Sequence, residues 1–590
     1  MVRLSFCKKY CDEDEVAYLF CASAQDFSDL SKDQFLEIPP LETSEASEFL
    51  DYYNQIISTT REKNVNNEMF QCTPFAHKNT WQSSFYMGLE SFSRLKMLIK
   101  KQNSVTVVFR DFSWYLMALS YCEKQKNHEF QYNAYEYIFC LFRKWASFVY
   151  QINRVFQAFR HMIFLIRPFA AKLRKALNGD YSYIFASVWF PETVKNIAKN
   201  KKDPFFGDIP FLMNSRNIKS AIFCHLENFN QQTFDDFSRA HIPDVYTYCD
   251  VLNWMDVLKI VLKMAFFRIQ LPPPLSEYKE VILEDLKKAC SQQVCHVQLI
   301  KLAFEKLLIK NSAAHVIYMY EGNCWEMGCA IAAREALPRR AHIGYQHTAF
   351  SRAFFKLEKN SFSEPDAILT TGEMSKKILS KHFGHPEEKL FESCSLRLPG
   401  VYLQSPKYEF PKKIKTILVL LQGVVHDMSF IKRIVNDVPF KPDIEILFRQ
   451  HPAQPVQFIA DLTARNPLYK KSEIANLYED ILRADLVLYH GTTAAFEAAY
   501  LGVPCVFVDI MGPLNADPLF EILNNCMVHR WEVHKDFWEL IEDILLEAGR
   551  FKADHAFLQD YFSKYFSNPD SFAQERFIET ILLFSNTFHT

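Results

Sequence analysis

Residues suited to holding a phosphate group follow a short apolar run near the C-terminus. Residues 486–489 predict a buried strand, and Gly491, Thr492 and Thr493 come shortly after it. Glycine permits a tight backbone turn. Threonine hydroxyls favour helix N-termini, where the first amides point at an anion. We therefore predict a phosphate-binding turn after this strand.

The elements that position this turn are readable on both sides of it. A helix is predicted from Thr493 to about Tyr500, where Gly502 and Pro504 supply stop signals. Residues 505–508 then predict a second buried strand. The unit is one strand–helix–strand step of a parallel sheet.

A second polar cluster lies about forty residues upstream. Residues 444–449 predict a strand that ends in Arg449, with His451 and Pro452 following. Proline keeps the residue before it extended, and parallel α/β sheets bind ligands beyond the carboxyl ends of their strands. We expect His451 to face a ligand. Arg449 would either neutralise phosphate charge or pair with an acidic neighbour.

A third polar loop in this half follows the predicted strand that begins at residue 414. Gln422 and Gly423 come after that strand, in a loop whose backbone amides are able to bind an anion without a charged side chain.

The middle of the chain offers candidates for acid–base chemistry. Residues 315–320 predict a strand that ends in Glu321 and Gly322, a carboxylate open to a cleft that is able to take a proton from a hydroxyl. The alternative for Glu321 is a helix-capping role, and Glu326 is then the second candidate base.

Two further strand ends follow in this region. Residues 341–345 lead to Gln346 and His347, which would contact a sugar carboxylate or polarise the acceptor, or else form an ordinary polar loop. Residues 366–371 lead to Gly372 and Glu373, with Glu373 either lining the cleft or beginning a helix.

Composition excludes several classes of protein. The chain of 590 residues is 49% hydrophobic, enough for two or more domains with substantial cores. Its net charge of −2 provides no global basic field for nucleic acid. The 15 cysteines show no zinc-binding spacing, so we expect no metal and mostly buried, reduced thiols.

Taken together, the motifs at residues 451–452 and 491–504 resemble the C-terminal domain of GT-B glycosyltransferases. The closest similarity is to bacterial enzymes that use CMP-activated nonulosonic or Kdo-type sugars, including sialyltransferases and surface-carbohydrate biosynthesis proteins. The resemblance implies that His451, Thr492 and Thr493 hold the CMP phosphate. It also likens Tyr320-Glu321-Gly322 to the motif that carries the general base, although one of its two acidic positions is missing.

This resemblance implies an α/β protein of two Rossmann-like domains that face a cleft, with a helical insertion at about 130–180. We place the acceptor-side domain at 1–400 and the nucleotide-sugar domain at 401–590, with a final helix from about 572 to 584 crossing back. The implied activity is metal-independent transfer of a sugar to a surface glycan or lipid-linked acceptor, as in lipopolysaccharide or capsule biosynthesis.

Alternative functions remain open at this stage. The resemblance places Glu497, on the helix after the Thr pair, where many UDP-sugar relatives bind a ribose, which keeps a UDP-sugar donor possible. A CDP-polyol phosphotransferase would share the same C-terminal domain. A sugar-nucleotide epimerase is built similarly but needs no acceptor. An inactive GT-B module that binds glycans as a scaffold is the non-enzymatic alternative.

A basic, aromatic segment bears on location. Residues 137–179 contain no acidic residue, and their cations alternate with apolar side chains: Arg143, Lys144, Arg154, Arg160, Arg167, Lys172, Arg174 and Lys175. Such a pattern is typical of a helix resting on anionic lipid, or of a core helix pair with a solvated basic face. Since no spanning segment or signal peptide is evident, we expect a cytoplasmic protein, soluble or peripheral at the inner membrane face.

Overall fold

The structure is a computed structural model, in which the described residues are 2–5, 18–20, 36–38, 43–124, 180–191, 202–227, 242–272, 278–350, 364–396, 409–451 and 468–587, with short gaps inside several ranges and a few isolated positions between them. Within these ranges the chain forms three parallel β-sheets covered by helices.

The first sheet has five short strands in the order β3-β2-β4-β1-β5. They are β1 (Val2–Ser5), β2 (Tyr18–Leu19), β3 (Leu36–Glu37), β4 (Val105–Val108) and β5 (Phe130–Gln131). Its helices are α1 (Thr43–Lys63), α2 (Glu68–Gln71), α3 (Ser84–Lys101) and α4 (Phe112–Lys124). This sheet has its own core, in which Phe20 and Trp114 pack together. The sequence did not predict this five-stranded sheet.

The second sheet has seven strands in the order β12-β11-β10-β9-β6-β7-β8. They are β6 (Tyr183–Trp189), β7 (Ser220–Leu226), β8 (Val245–Tyr246), β9 (His315–Met319), β10 (His342–Tyr345), β11 (Ala367–Thr370) and β12 (Leu390–Glu392). Its helices are α5 (Ile209–Ser215), α6 (Tyr248–Val251), α7 (Trp254–Ala265), α9 (Gln293–Lys310), α10 (Cys324–Ala336) and α11 (Glu373–Phe383), whereas α8 (Lys279–Ser291) packs into the core of the five-stranded sheet. The strands from β6 to β11 are buried along their whole length, as expected of a parallel sheet covered on both faces.

The third sheet has six strands in the order β15-β14-β13-β16-β17-β18. They are β13 (Thr416–Leu420), β14 (Glu445–Arg449), β15 (Tyr469–Lys471), β16 (Leu486–Tyr489), β17 (Cys505–Val508) and β18 (Val528–Trp531). Its helices are α12 (Asp427–Asp437), α13 (Leu477–Arg483), α14 (Ala494–Tyr500), α15 (Phe537–Leu546), α16 (Phe551–Tyr565) and α17 (Ala573–Thr587).

The last helix returns to the seven-stranded sheet. In α17, the ring of Phe584 lies 5.1 Å from that of Phe391 in β12. The Sγ atom of Cys394 donates to the carbonyl oxygen of Ala573 at 2.9 Å. The core is therefore shared between the seven-stranded and six-stranded sheets.

The strand predictions around the candidate site are confirmed within two residues at each end. The chain passes from the second sheet to the third between Glu392 and Thr416, and the predicted boundary at 400 lies outside the described residues. The same is true of nearly all of the predicted insertion at 130–180, including most of the basic segment. Among the described residues, no helix combines the length and apolar character needed to cross a membrane, and the ten described cysteines are buried and unbridged.

Candidate active site

A carboxylate and an imidazole meet at the carboxyl edge of the seven-stranded sheet. Neighbouring strands β9 and β10 pair Met319 with Tyr345. Glu321 and His347 each lie two residues beyond this pair, at the same end of the two strands. The Nε2 atom of His347 is 3.2 Å from Oε1 of Glu321. The two residues were predicted separately from strand ends, and the structure brings them together as a pair.

The imidazole of this pair is buried, while the carboxylate is partly open. The side chain of His347 is 1% exposed and that of Glu321 is 20% exposed. The ring of Phe205 packs 4.7 Å from that of His347. Solvent or a ligand therefore reaches the pair from the side of Glu321.

The Phe205 contact is itself held by a buried carboxylate. Asp203 accepts hydrogen bonds from the backbone N–H of Phe205 at 2.9 Å and from Nε1 of Trp189, at the end of β6, at 2.7 Å. Burial raises the pKa of Asp203, although its hydrogen bonds act in the opposite direction. The loop after β6 is thus fastened beneath His347.

Glu326, the second candidate base, has a structural role. Its Oε2 atom accepts from the backbone N–H groups of Glu321 at 2.8 Å and Asn323 at 3.1 Å, and its Oε1 accepts from Nδ2 of Asn323 at 2.8 Å. The side chain is fully buried in a capping box at the start of α10. These contacts correct the expectation for Glu326, because an acceptor hydroxyl cannot reach a carboxylate enclosed in this way. The capping alternative considered for Glu321 belongs to Glu326.

The turn around Glu326 also sets the position of Glu321. Gly322 has φ +78, in the left-handed region that glycine adopts without strain. Asn323 Nδ2 donates to Oε2 of Glu321 at 3.2 Å. The carboxylate of Glu321 is thus oriented by its own loop as well as by His347.

The remaining predicted residues on this sheet lie away from the pair's open side. Gln346 is buried and donates through Nε2 to the carbonyl of Thr348. Glu373 is the first residue of α11 and pairs with Lys377 on the same exposed face. The alternative prediction, in which Glu373 begins a helix, is confirmed.

The predicted phosphate-binding elements occupy three adjacent strands of the six-stranded sheet. β13 lies between β14 and β16, so the loops that carry Gln422, His451 and Gly491 follow neighbouring strand ends. Gly491 has φ +77, as a tight turn requires. Gly423 and Pro452 lie outside the described residues.

The two threonines sit beside this turn in different roles. Thr492 is buried, and its Oγ1 accepts from the backbone N–H of Ala494 at 3.4 Å. Thr493 occupies the N-cap position of α14 but makes no side-chain capping bond. Because α14 has only seven residues, its dipole is a weak phosphate anchor, and the hydroxyls and turn amides are the stronger candidates. Glu497, one turn into α14, is partly buried.

The charged residues of this edge are less available than expected. Arg449 forms an ion pair with Asp480, whose side chain is fully buried. This corrects the expectation of a phosphate-binding Arg449 in favour of the alternative pairing. His451, in contrast, is exposed. The backbone N–H of Gln422 donates to Asp427 at 3.1 Å, which fixes the start of the loop.

Sequence reasoning missed a buried ionisable cluster next to the turn. His490 directly precedes Gly491, and burial lowers its pKa to about 4. Burial also raises the pKa of Asp517 to about 6, and the hydroxyl of Tyr489 donates to this carboxyl at 2.9 Å. The position of His490 at a strand end was the available sequence signal.

A second carboxylate–imidazole pair, also missed, lies on the seven-stranded edge. The Nε2 atom of His225 is 2.7 Å from Oε2 of Glu227, just beyond β7. His225 falls at the end of an apolar strand, and its spacing from Glu227 matches no common motif. Only the fold shows that the pair lies on the same edge as Glu321.

The two edges are connected through Tyr565 at the end of α16. Its hydroxyl accepts from the backbone N–H of Phe350 at 2.9 Å, three residues after His347. Its ring lies 5.0 Å from that of Phe496, in the helix that follows the Thr pair. Tyr565 therefore joins the loop after β10 to the phosphate-binding unit.

No group of three or more potential metal-ligating His, Cys, Asp or Glu side chains occurs among the described residues.

The seven-stranded and six-stranded parallel sheets, with a last helix that returns from the six-stranded to the seven-stranded sheet, have the arrangement of a GT-B fold. Comparison with known protein families finds no match, and comparison with curated protein sequences finds none either.

Solved structures with similar folds include enzymes of different activities. UDP-N-acetylglucosamine 2-epimerase from Neisseria meningitidis shares 13% identity with a TM-score of 0.38, over 68% of this chain and 100% of that chain. A calicheamicin glycosyltransferase shares 14% identity with a TM-score of 0.40, over 68% and 98%. A wall teichoic acid polymerase shares 11% with a TM-score of 0.34, over 75% and 97%. At identities of 14% or less, these similarities do not extend beyond the fold.

Proposed function

We propose that this protein is a glycosyltransferase, which moves a sugar from a nucleotide donor to a hydroxyl group of a glycan or glycolipid acceptor. The observation that carries the proposal is the Glu321–His347 pair at the carboxyl edge of the seven-stranded sheet. A partly open carboxylate beside a buried imidazole suits the removal of a proton from an acceptor hydroxyl.

The proposed reaction uses the two edges in turn. Glu321 takes the proton of the acceptor hydroxyl as its oxygen attacks the anomeric carbon of the donor. The bond between that carbon and the phosphate oxygen breaks, and its electron pair leaves with the nucleotide. His347 keeps the carboxylate oriented and stabilises its charge before the proton arrives.

The departing phosphate is met by uncharged groups. Gly491, with φ +77, turns its backbone beside the Thr492 and Thr493 hydroxyls, and His451 is exposed at the end of β14 two strands away. Oriented hydroxyl and amide dipoles are able to stabilise developing phosphate charge without a metal ion. Metal independence is accordingly part of the proposal.

The donor we propose is a CMP-activated nonulosonic or Kdo-type sugar. Support comes from the resemblance of the motifs at His451 and at the Thr492–Thr493 pair to transferases that use such donors. The corresponding acceptor is a surface glycan or its lipid-linked precursor. Glu497 keeps a UDP-sugar as the second candidate donor.

Thermal shift measurements with CMP, CDP, UDP and GDP test the site and the donor class together. We expect stabilisation by CMP in the wild type and a loss of that shift in His451→Ala. A matched control is Lys413→Ala, which removes an exposed cation that precedes β13, at the opposite edge of the same sheet. Stabilisation by UDP alone would transfer the proposal to a UDP-sugar donor, and an unchanged shift in His451→Ala would contradict the assigned site.

Turnover separates the remaining alternatives. A transferase consumes its donor faster when an acceptor hydroxyl is supplied, whereas an epimerase converts donor without an acceptor. A CDP-polyol phosphotransferase requires a CDP-linked donor. Nucleotide binding without consumption of any donor would identify an inactive glycan-binding scaffold.

The cellular location follows from the acceptor. A lipid-linked glycan would place the protein at the inner face of the cytoplasmic membrane, docked through the basic segment from Arg143 to Lys175. Charge reversal at Arg167, Lys172, Arg174 and Lys175 should abolish binding to anionic liposomes. Unchanged partitioning would rule out this mode of docking.

A further inference from the structure

The second carboxylate–imidazole pair lies on the same edge as the proposed base. The backbone N–H of Glu227 donates to the carbonyl of Trp189 at 2.9 Å, which places Glu227 just beyond the end of β6. β6 separates β7 from β9 in the sheet. Two strand spacings therefore separate the backbones of Glu227 and Glu321, about 10 Å.

One aromatic side chain packs against the second pair. Trp325, in the first turn of α10, follows the loop that carries Glu321. Its ring centroid lies 5.6 Å from that of His225. The loop that orients the proposed base therefore also packs against the second pair.

Glu227 is the accessible member of this second pair. Its side chain is 45% exposed, whereas that of His225 is 4% exposed. Burial would raise the pKa of Glu227, but the hydrogen bond with His225 and the nearby charges of His225 and His296 lower it below its ordinary value. The group that faces solvent is thus an ionised carboxylate.

Buried polar atoms behind Glu227 indicate a site rather than ordinary core packing. The ring of His296 lies 4.7 Å from that of His225 and 5.5 Å from that of Tyr248. Nδ1 of His225 and the hydroxyl of Tyr248 are buried and have no hydrogen-bond partner among the described residues. Such atoms are uncommon in folded proteins and call for an explanation such as a bound molecule.

The chemistry of the exposed group indicates which ligand this cluster takes. The group of the pair that faces solvent is a single carboxylate, the side chain of Glu227. A carboxylate accepts hydrogen bonds from hydroxyl groups. A neutral polyhydroxylated molecule matches these features best.

We propose that Glu227 forms an acceptor-binding subsite, in which its carboxylate accepts hydrogen bonds from hydroxyl groups of the glycan acceptor while His225 positions it. This inference rests on the proposed transferase function. It assigns the acceptor a path along the seven-stranded edge, from Glu227 to Glu321. Glu227 would determine which glycan is accepted, without taking part in proton transfer.

Binding of simple sugars by the full-length protein tests the subsite directly. Saturation-transfer-difference NMR with methyl glycosides of glucose, galactose, mannose and N-acetylglucosamine should give signals for at least one glycoside. We expect Glu227→Gln to weaken that binding at least fivefold and Glu227→Asp, which keeps the charge, to restore part of it. The matched control is Glu335→Gln, since Glu335 is similarly exposed at 48% but lies near the end of α10.

The same samples separate this inference from the proposed function. The signal of CMP should be the same with wild type and with Glu227→Gln, and so should the signal of UDP. Retained glycoside binding in Glu227→Gln, or no glycoside signal with the wild type, would overturn the subsite. Absence of nucleotide binding would instead count against the transferase proposal, whatever the glycoside result.

Discussion

The carboxyl edges of the seven-stranded and six-stranded sheets differ in how their charged side chains are paired. On the seven-stranded edge, two carboxylates are each placed beside an imidazole and remain partly open, Glu321 with His347 and Glu227 with His225. On the six-stranded edge, two arginines form ion pairs with nearby carboxylates. Arg449 is held by buried Asp480, and Arg530 by Asp509.

This difference assigns different chemistry to the two edges. Open carboxylates beside imidazoles are suited to exchanging protons and to accepting hydrogen bonds from hydroxyls. An edge that presents a glycine turn, hydroxyls and one exposed histidine is suited to holding an anion through dipoles. The difference also implies that a substitution at one edge should reduce turnover or nucleotide binding without affecting the other.

Glu321→Gln should have the largest effect on activity. It keeps the shape of the side chain but removes the proton acceptor, so the turnover rate with acceptor should fall about 10² to 10⁴-fold. The affinity for nucleotide should stay within about twofold, because the six-stranded edge is untouched. Steady-state kinetics combined with calorimetric titration of CMP would measure both, and a parallel fall in nucleotide affinity would mean that the two edges are not separable.

Gly372→Ala should have the largest effect on the connection between the edges. A Cβ atom at this position would lie 2.3 Å from the carbonyl oxygen of Lys564 and 2.7 Å from that of Tyr565. These are backbone atoms at the end of α16, so they cannot move aside as a flexible side chain does. Overpacking of this kind should reduce the free energy of unfolding by about 3 kcal/mol.

Denaturant unfolding would test this prediction against a permissive glycine. Gly384→Ala is an unsuitable control, because Gly384 has φ +73 and an alanine there would be strained. Gly549 is suitable, because no atom lies within 4 Å of its Cβ position. Gly549→Ala should therefore leave stability nearly unchanged. Equal stability of Gly372→Ala and Gly549→Ala would show that α16 is not closely packed on this strand end.

The sequence predicted the strands that lead to both edges better than the contacts between their ends. Residues 486–489 and 505–508 are apolar runs bounded by glycine and proline, and the observed strands match them. The ends of β9 and β10 were also predictable, and with them Glu321 and His347. Their 3.2 Å separation depends on strand pairing across 26 residues, which no local pattern encodes.

The features that sequence analysis missed each have a physical cause. The partner of Arg449 is Asp480, which lies on a different element. Strands of two residues, such as Tyr18–Leu19 and Leu36–Glu37, are too short to show a hydrophobic period, so the five-stranded sheet was not anticipated. The His225–Glu227 pair required knowledge of what packs behind β7. The missing information is a long-range contact for Arg449 and for the packing behind β7, and a local hydrophobic period for the short strands.

Asp517→Asn should stabilise the six-stranded edge in a pH-dependent way. Burial raises the pKa of Asp517 from 3.8 to about 6. As the pH rises from about 4 to 6, the unfolded chain releases this proton before the folded protein does, so the carboxyl progressively destabilises the fold. The asparagine variant should be more stable than wild type by about 3 kcal/mol above pH 6, and equally stable near pH 4.

Urea unfolding at several pH values between 4 and 8 would measure this difference. Asp443→Asn is the control, because Asp443 is exposed, and its hydrogen bond with Lys413 lowers its pKa. It should show no gain in stability with rising pH. A constant difference between Asp517→Asn and wild type across this range would rule out the proposed ionisation of Asp517.

Tyr565→Phe should have the smallest effect, and it tests the connection between the edges most directly. The substitution leaves the ring in place but removes the acceptor of the Phe350 N–H, so stability should fall by about 1 kcal/mol. Because Phe350 lies three residues after His347, transfer should slow severalfold, while CMP binding at the other edge stays constant. Tyr561→Phe, one turn earlier in α16, is the matched control, since its hydroxyl makes no hydrogen bond identified among the described residues. If both variants slowed transfer equally, the hydroxyl of Tyr565 would have no special part in aligning the two edges, and the alignment would have to come from ring packing against Phe496.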